Sequence, residues 1–392
     1  MAKMGERKIN IGITVYIDNP NDSLFTNGIR QNVIILRDLF EKCRNVGNSY
    51  IINTGKVDIP NDGSSPWQPY LKYIISPEDA KTKCDLIVMA QGSMHRDKYV
   101  EYKKLGKKIT KHIMGAELSV LNETVIFKPD SEARNIYVRN PGTVSAVWLS
   151  DHFYARDKCL FETQYDCPAY VGAYVWDSRF IQGHIDSLTK QDPEKFTGKY
   201  VPSGNREKRL STMEPNINMV KTSIVPVIIA EQFYRKHPDL LDKLNVFCGE
   251  KIRKKPDMVN FVKEMDAYKA KKMFFEARYP TVWTLQKHTD IVLSHQNQCE
   301  LNYLYLDSAW MGYPVVHNSP LMTELGWYYQ ENDVDTAVKH LAYIAEHFDD
   351  NEHVNEEYMQ KSRQFAYRYS IDNPKNIRAY ENLIQIAMDS DI

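Results

Sequence analysis

Apolar positions along the chain fall into short unbroken runs separated by polar loops and by stretches with helical spacing. Residues 8–17 are β-branched and apolar with little alternation, which predicts a strand covered on both faces. A loop rich in Asp, Asn and Pro (18–27) leads to Gly28, after which Ile29, Val33, Leu36, Leu39 and Phe40 recur at the spacing of a helix reaching Lys42. Strand, polar loop and helix open a doubly wound sheet. Runs at 49–53, 85–90, 108–113 and 170–176 predict further strands, 101–105 a Lys-rich connector, and 142–152 a helix. Residues 186–209 hold few apolar anchors among Lys, Asp, Pro, Gly, Ser and Asn, the composition of a linker.

The pattern then restarts. A strand at 209–214 is followed by Pro215-Asn216 and a helix from about Asn218 to Tyr234. Strands at 244–247, 272–275, 290–294 and 313–317 alternate with helices at 257–268, 281–288 and 300–311. Three helices, 333–348, 354–369 and 374–388, close the chain without strands between them. The expectation is therefore α/β: two facing Rossmann-like domains with a helical tail. The first spans 1–185, the second 209–370 after a linker at 186–208, and residues 371–392 form a helix returning to the first domain.

Composition narrows the function classes. The 392 residues are 43% hydrophobic and 11% aromatic, enough for two cores. Fifty Lys and Arg against 51 Asp and Glu give a net charge of -1, so no global field draws the chain onto nucleic acid or anionic membrane. The six cysteines show neither zinc nor disulfide spacing, which fits a reducing compartment. With no signal-peptide pattern and no apolar run of spanning length, the expected location is cytoplasmic, with no membrane and no protein partner implied. Dinucleotide, P-loop, nucleophile-elbow and zincin motifs are all missing. Asp333-Val-Asp335 and Asp389-Ser-Asp391 match a metal-binding Asp-x-Asp only formally. The first opens a helix and the second ends the chain, so no metal or other cofactor is expected.

Residues 290–320 read as buried strand, polar turn, short helix and second buried strand. A helix opening at a strand's carboxyl end directs free N–H groups at an anion, and a diphosphate suits that position. Asp307, a turn and a half along, is placed to accept ribose hydroxyls. A second such unit is Glu214-Pro215-Asn216-Ile217-Asn218-Met219-Val220-Lys221-Thr222, where Lys221 is placed to neutralise a pyrophosphate leaving group. In the first half, Asn27-Gly28 permits close backbone approach to a ligand, with Arg30 and Asn32 as further contacts. Glu117 lies just past one strand and Asp151-His152 past another. Either carboxylate suits removal of a proton from an acceptor hydroxyl, and the sequence leaves the choice open. Lysine runs at 103–111, 251–255 and 269–272 are candidate phosphate contacts if they line one side of a cleft.

Ser23 to Asn32, Ile52 to Gly55, Glu214 to Thr222, Asn302 to Tyr305 and Gly312 to Pro320 together resemble a family of glycosyltransferase-like proteins from bacteria and phages, catalogued as a domain of unknown function. The resemblance covers most of the chain. It implies the two-domain GT-B architecture and a nucleotide-activated sugar as co-substrate, usually without metal. By similarity to GT-B enzymes, Asn302 and Tyr303 would meet the diphosphate, Asp307 the ribose, and Lys221 the phosphates. Their usual Glu-x7-Glu is not reproduced, because Glu300 and Asp307 stand one residue too close, which puts a sugar contact by Glu300 in doubt. The family also resembles the phage enzymes that add arabinose to hydroxymethylated cytosine, implying UDP-arabinose as donor and double-stranded hydroxymethylated DNA as partner. Transfer to a bacterial surface glycan or protein, and nucleotide binding without chemistry, are the other readings.

Overall fold

The computed structural model describes residues 7–24, 28–92, 94, 96–129, 138–350 and 352–390. The chain divides into two compact units, residues 1–177 with 367–392, and residues 178–366.

Unit 1 runs β1 (Ile9–Val15), α1 (Gly28–Phe40), β2 (Val46–Asn53), β3 (Ile74–Ile75), α2 (Pro77–Lys83), β4 (Leu86–Met89), α3 (Arg96–Lys104), β5 (Lys108–Ile113), α4 (Glu117–Phe127), β6 (Ala146–Ser150), α5 (Asp151–Tyr165) and β7 (Ala169–Gly172). The strands form one parallel sheet in the order β3-β2-β1-β4-β5-β6-β7. Ile11, Ile13 and Val15 are fully buried, as the unalternating run predicts for a strand covered on both faces.

Unit 2 runs α6 (Ser178–Gln191), β8 (Lys208–Thr212), α7 (Ile224–Lys236), β9 (Leu241–Val246), α8 (Pro256–Val262), α9 (Asp266–Lys269), β10 (Met273–Phe275), α10 (Thr281–His288), β11 (Ile291–Leu293), α11 (Tyr303–Trp310), β12 (Val315–His317), β13 (Trp327–Tyr328), α12 (Val334–His347) and α13 (Glu352–Tyr367). Its parallel sheet has the order β10-β9-β8-β11-β12-β13. Both sheets thus wind outward in two directions from their first strand, the doubly wound arrangement expected from the alternating pattern.

Several local expectations give way. Residues 142–152 are not a helix: β6 occupies 146–150, and α5 begins at Asp151. All five β6 residues are buried, and an apolar run without alternation does not separate strand from buried helix. The connector at 101–105 is the end of α3. The helix expected from Asn218 starts only at Ile224, with Pro226 in its first turn, where a missing N–H costs no helical bond. The stretch 257–268 breaks into α8 and α9. The units divide at Asp177 rather than within 186–208, because α6 packs on α10 and α11.

The last helix, α14 (Pro374–Asp389), belongs to unit 1 and packs on α1, β5 and β7. Tyr380 is its anchor. The ring is fully buried, 5.5 Å from Phe40 and 6.1 Å from Trp148. Its hydroxyl donates to the Ala173 carbonyl at 2.9 Å and lies 3.0 Å from His112 Nε2. Burial pushes the His112 pKa down to about 4, so the imidazole is neutral and its Nε2–H donates to that hydroxyl. Glu381 accepts from the Arg44 backbone N–H at 2.7 Å, closing the contact at its rim. Replacing Tyr380 by Phe keeps the packing and strands two buried polar partners, a loss of about 1–3 kcal/mol. A chemical-denaturation midpoint shifted downward by that amount is expected, and an unchanged midpoint would remove the bracing role of the hydroxyl.

Candidate functional site

In an open parallel sheet, ligands bind beyond the carboxyl ends of the strands where the strand order reverses. In unit 2 that point lies between β8 and β11. Glu214 follows β8 there and is 1% exposed. Ser294, immediately after β11, donates its hydroxyl to Glu214 Oε1, and Gln296 Nε2 donates to Oε2 at 3.1 Å. The Ser294 hydroxyl also lies 3.1 Å from the phenol of Tyr305, in the first turn of α11. Burial raises the Glu214 carboxyl to about pKa 7, although Ser294, Lys221, the His295 backbone and Gln296 all favour the ionised form. Around this group, Tyr329 donates to the Ser294 carbonyl at 3.1 Å and sits 3.0 Å from His295 Nδ1.

The loop from 213 to 223 is shaped by one side chain. Asn216 adopts φ 52°, a left-handed conformation that asparagine tolerates. Its Nδ2 donates to the Glu214 carbonyl and to Ser223 Oγ, while its Oδ1 accepts from the Ser223 N–H at 2.8 Å, just ahead of α7. Asn218 Oδ1 accepts from the Val220 N–H. Neither residue opens a helix, so the N–H groups expected near Asn218 are turned into a compact polar loop. That loop is tied to the one after β11: Asn297 donates its backbone N–H to the Val220 carbonyl at 2.8 Å and its side-chain Nδ2 to the Met219 carbonyl at 2.9 Å. Lys221 follows directly, half-buried, and its charge acts on both Glu214 and Cys299. The loops after β8, β9 and β11 each contain a non-glycine residue at positive φ (Asn216, Cys248 and Gln298), and such backbone clusters at functional sites.

Helix α11 begins where the strand-turn-helix reading places it. Asn302, 8% exposed, holds the N-cap position in extended backbone, and its side chain makes no capping bond to the first turn. Tyr303 and Asp307 are half-buried on α11, and Glu300 is half-buried just before it. The Glu300 carbonyl accepts from Ser319, and Asn318 pairs through its side chain with both the N–H and the C=O of Gln296 at 2.9 Å. The strand ends β8, β11 and β12 therefore deliver Lys221, Glu214, the Ser294–Asn297 segment and the start of α11 to one place. The buried network of Glu214, Ser294, Gln296, Tyr305 and Tyr329 was given no role by the sequence, in which Glu214 and Tyr305 figured only as members of longer segments.

In unit 1 the expected donor contacts separate. Asn27 lies outside the described residues, and Gly28 is the exposed first residue of α1. Arg30 is a correction: its side chain is 6% exposed and its guanidinium binds Asp18 at 2.7 Å and Asp22 at 2.8 Å, so it fastens the preceding loop. Asn32 is buried on α1. Glu117 is the first residue of α4, and its N–H donates to the buried Asp157 carboxylate at 2.8 Å. Asp151 begins α5 with its side chain 65% exposed, and the neighbouring His152 holds its carboxyl below the usual range. Both follow the carboxyl ends of their strands.

Several lysines of these runs already have partners within their own unit. Lys111 is half-buried with its pKa lowered by desolvation, Lys103 and Lys108 donate to the Gly142 and Ser390 carbonyls, and Lys269 and Lys272 pair with Glu264 and Glu207. Asp333 caps α12 by accepting from Thr336, and Asp335 pairs with Lys236.

The family described as "Protein of unknown function (DUF2827)" matches residues 11–384. The chain belongs to that family. No curated protein matches it. Among solved structures it is similar to Anabaena Alr3699/HepE in complex with UDP-glucose, with TM-score 0.53 and 9% identity over 96% of this chain and 100% of that one. It is similar to the pneumococcal O-GlcNAc transferase GtfA in complex with UDP and GlcNAc, with TM-score 0.55 and 7% identity over 97% and 99%. A third likeness is to the lipopolysaccharide outer core galactosyltransferase WaaB, apo form, with TM-score 0.52 and 11% identity over 96% and 99%. At such identities the likeness is one of fold, and the fold is that of GT-B glycosyltransferases.

Glu214 generates a prediction about stability. Its pKa is raised on folding, so its contribution is fully present below the ordinary value of 4.5 and is lost as pH rises through about 7. Glu214→Gln is neutral throughout and escapes that loss, which is on the order of 3 kcal/mol. The melting temperature of the variant relative to the native protein is expected to climb between the ordinary value of 4.5 and about 7 and to level off above it. A constant difference would mean that the carboxyl titrates normally.

Proposed function

We propose that this protein is a glycosyltransferase that takes its sugar from a nucleoside diphosphate held at the carboxyl ends of β8 and β11. One observation carries the reading: at the strand-order reversal of unit 2, the loop that leads from β11 into α11 and the Lys221 loop are bound to each other through Asn297. The complexes of the similar folds with UDP-glucose and with UDP and GlcNAc support a uridine donor.

In this reading Asn302 and Tyr303 present the helix start to the diphosphate, Lys221 faces its charge, and Asp307 accepts from the ribose. Asn216 and Asn218 act by shaping the loop that carries Lys221. An acceptor oxygen attacks the anomeric carbon, the bond from that carbon to the phosphate oxygen breaks, and the nucleoside diphosphate departs with the electron pair. Lys221 stabilises the negative charge that develops on it. The acceptor proton goes to a carboxylate, for which Glu117 and Asp151 are the two assignments. The neighbouring His152 holds the Asp151 carboxyl below the usual range and keeps it ionised.

Two acceptor classes follow from different observations. The sequence resemblance supports 5-hydroxymethylcytosine in phage DNA, with UDP-arabinose as donor. The similar folds include an O-GlcNAc transferase and a lipopolysaccharide galactosyltransferase, which supports a bacterial glycan or protein. The engagement of Lys108, Lys269 and Lys272 favours the second class, since each of these lysines is already held by a carbonyl or a carboxylate.

Melting temperatures in the presence of UDP, GDP, ADP and TDP test the donor, because a ligand bound only by the folded state stabilises it. UDP is expected to raise the midpoint, and no rise with any of the four would overturn the reading. Radiolabelled sugar transfer to hydroxymethylated DNA, and separately to cell-envelope glycan, then assigns the acceptor. Lys221→Ala is expected to lower turnover about 100-fold with little change in melting temperature. Either Glu117→Gln or Asp151→Asn is expected to lower it by at least about 100-fold. Full rates in both would rule out a carboxylate base at these positions.

A further inference from the structure

The donor reading leaves one group without a task. Glu214 is a carboxyl buried where the ligand's charge is to be placed, 1% exposed and acted on by the charge of the half-buried Lys221. Its bonding path leads straight into the machinery. Glu214 accepts from Ser294, Ser294 meets the Tyr305 phenol at 3.1 Å, and Tyr305 belongs to the first turn of α11. Through Gln296 it also reaches Asn318 after β12. Two anions in one low-dielectric place repel strongly, and Lys221 cannot neutralise both.

We propose, resting on the donor reading above, that Glu214 is a positioning residue whose proton is coupled to donor binding: the site accepts a nucleoside diphosphate sugar together with one proton, taken up on Glu214. Ionised Glu214 holds Lys221 electrostatically and faces the incoming diphosphate with a second negative charge. Protonated Glu214 releases Lys221 to the ligand and keeps its place between Ser294 and Gln296, so the α11 start and the two loops stay assembled. No other atom changes hands; the proton comes from solvent and returns to it when the diphosphate leaves.

Among the described residues, the groups that act on Glu214 or share its surroundings come from five segments, and Arg278, Glu250 and Lys251 act on Cys248 beside it. Lys221 comes from its own loop, Ser294, His295, Gln296 and Cys299 from the β11–α11 segment, Tyr305 from α11, Tyr329 from the segment after β13, and Cys248 from the end of β9. Burial raises the two tyrosines and both thiols and lowers His295, so all of these stay neutral around neutrality. The Glu214 carboxyl, at about 7 without ligand, is the group of this set that changes charge there. By reciprocity, an anion bound beside it raises its proton affinity, and protonation raises affinity for the anion.

The test uses UDP-glucose, whose diphosphate is esterified at both ends and does not itself titrate near neutrality. Calorimetry at about pH 7.5 in two buffers of different ionisation enthalpy measures protons taken up. Uptake of a substantial fraction of one proton is expected, with the dissociation constant rising toward about tenfold per pH unit above neutrality. In Glu214→Gln, the proton uptake and the pH slope are expected to vanish while binding persists. A merely structural Glu214 would weaken binding equally at every pH. Binding by the native protein with no proton uptake and no slope would overturn this inference and leave the donor reading standing. Absence of UDP-glucose binding across the whole pH range would overturn both.

Discussion

A carboxyl group cannot be taken out of water without partners, and in unit 2 the partners of Glu214 are the loops that leave the sheet at its reversal point. Ser294 and Gln296 answer it from β11, and Tyr305 reaches it through Ser294 from α11. Removing a buried charge's donors costs several kcal/mol, so these loops are bound to one another as firmly as to their own strands. The arrangement converts three separate strand ends into a single polar surface. The position of Lys221, which no hydrogen-bonded helix supports, follows from it.

Unit 1 applies the same architecture to a different end. Its polar residues at the strand ends are spent mostly on the backbone. Asn53 accepts from the Ile17 and Gly55 N–H groups, Thr14 donates to the Gly92 carbonyl, and Arg30 is consumed by Asp18 and Asp22. Glu117 and Asp151 stand apart from this pattern as carboxylates at helix starts. The closing helix α14 reaches unit 1 through Tyr380, so residues distant in sequence finish the same core.

The likeness to GT-B structures bound to uridine nucleotides concerns the path of the backbone, at identities of 7–11%. A fold hosts many chemistries, and function resides in the side chains it brings together. Here these are a half-buried lysine, a helix start without a side-chain cap, and a buried acid linking them. The pair of glutamates eight positions apart that is usual in GT-B enzymes is not reproduced, since Glu300 and Asp307 stand seven positions apart.

Periodicity made the alternation of strands and helices legible, and with it two doubly wound sheets and the start of α11 at Tyr303, because apolar runs and their spacing are local properties. It misread 142–152 and 218–234, where burial on both faces and a side-chain-knotted loop leave the same apolar pattern as a helix. Residue type and position singled out Lys221 and Asp307 as proposed ligand contacts, and the family resemblance added Asn302. They could not reveal that Arg30 is locked to two aspartates, that α6 belongs to unit 2, or that Glu214 sits inside a network assembled from residues 80 or more positions away. Those facts depend on which strand ends become neighbours, and neighbours across a parallel sheet are set by the crossover topology, which no window of the sequence contains.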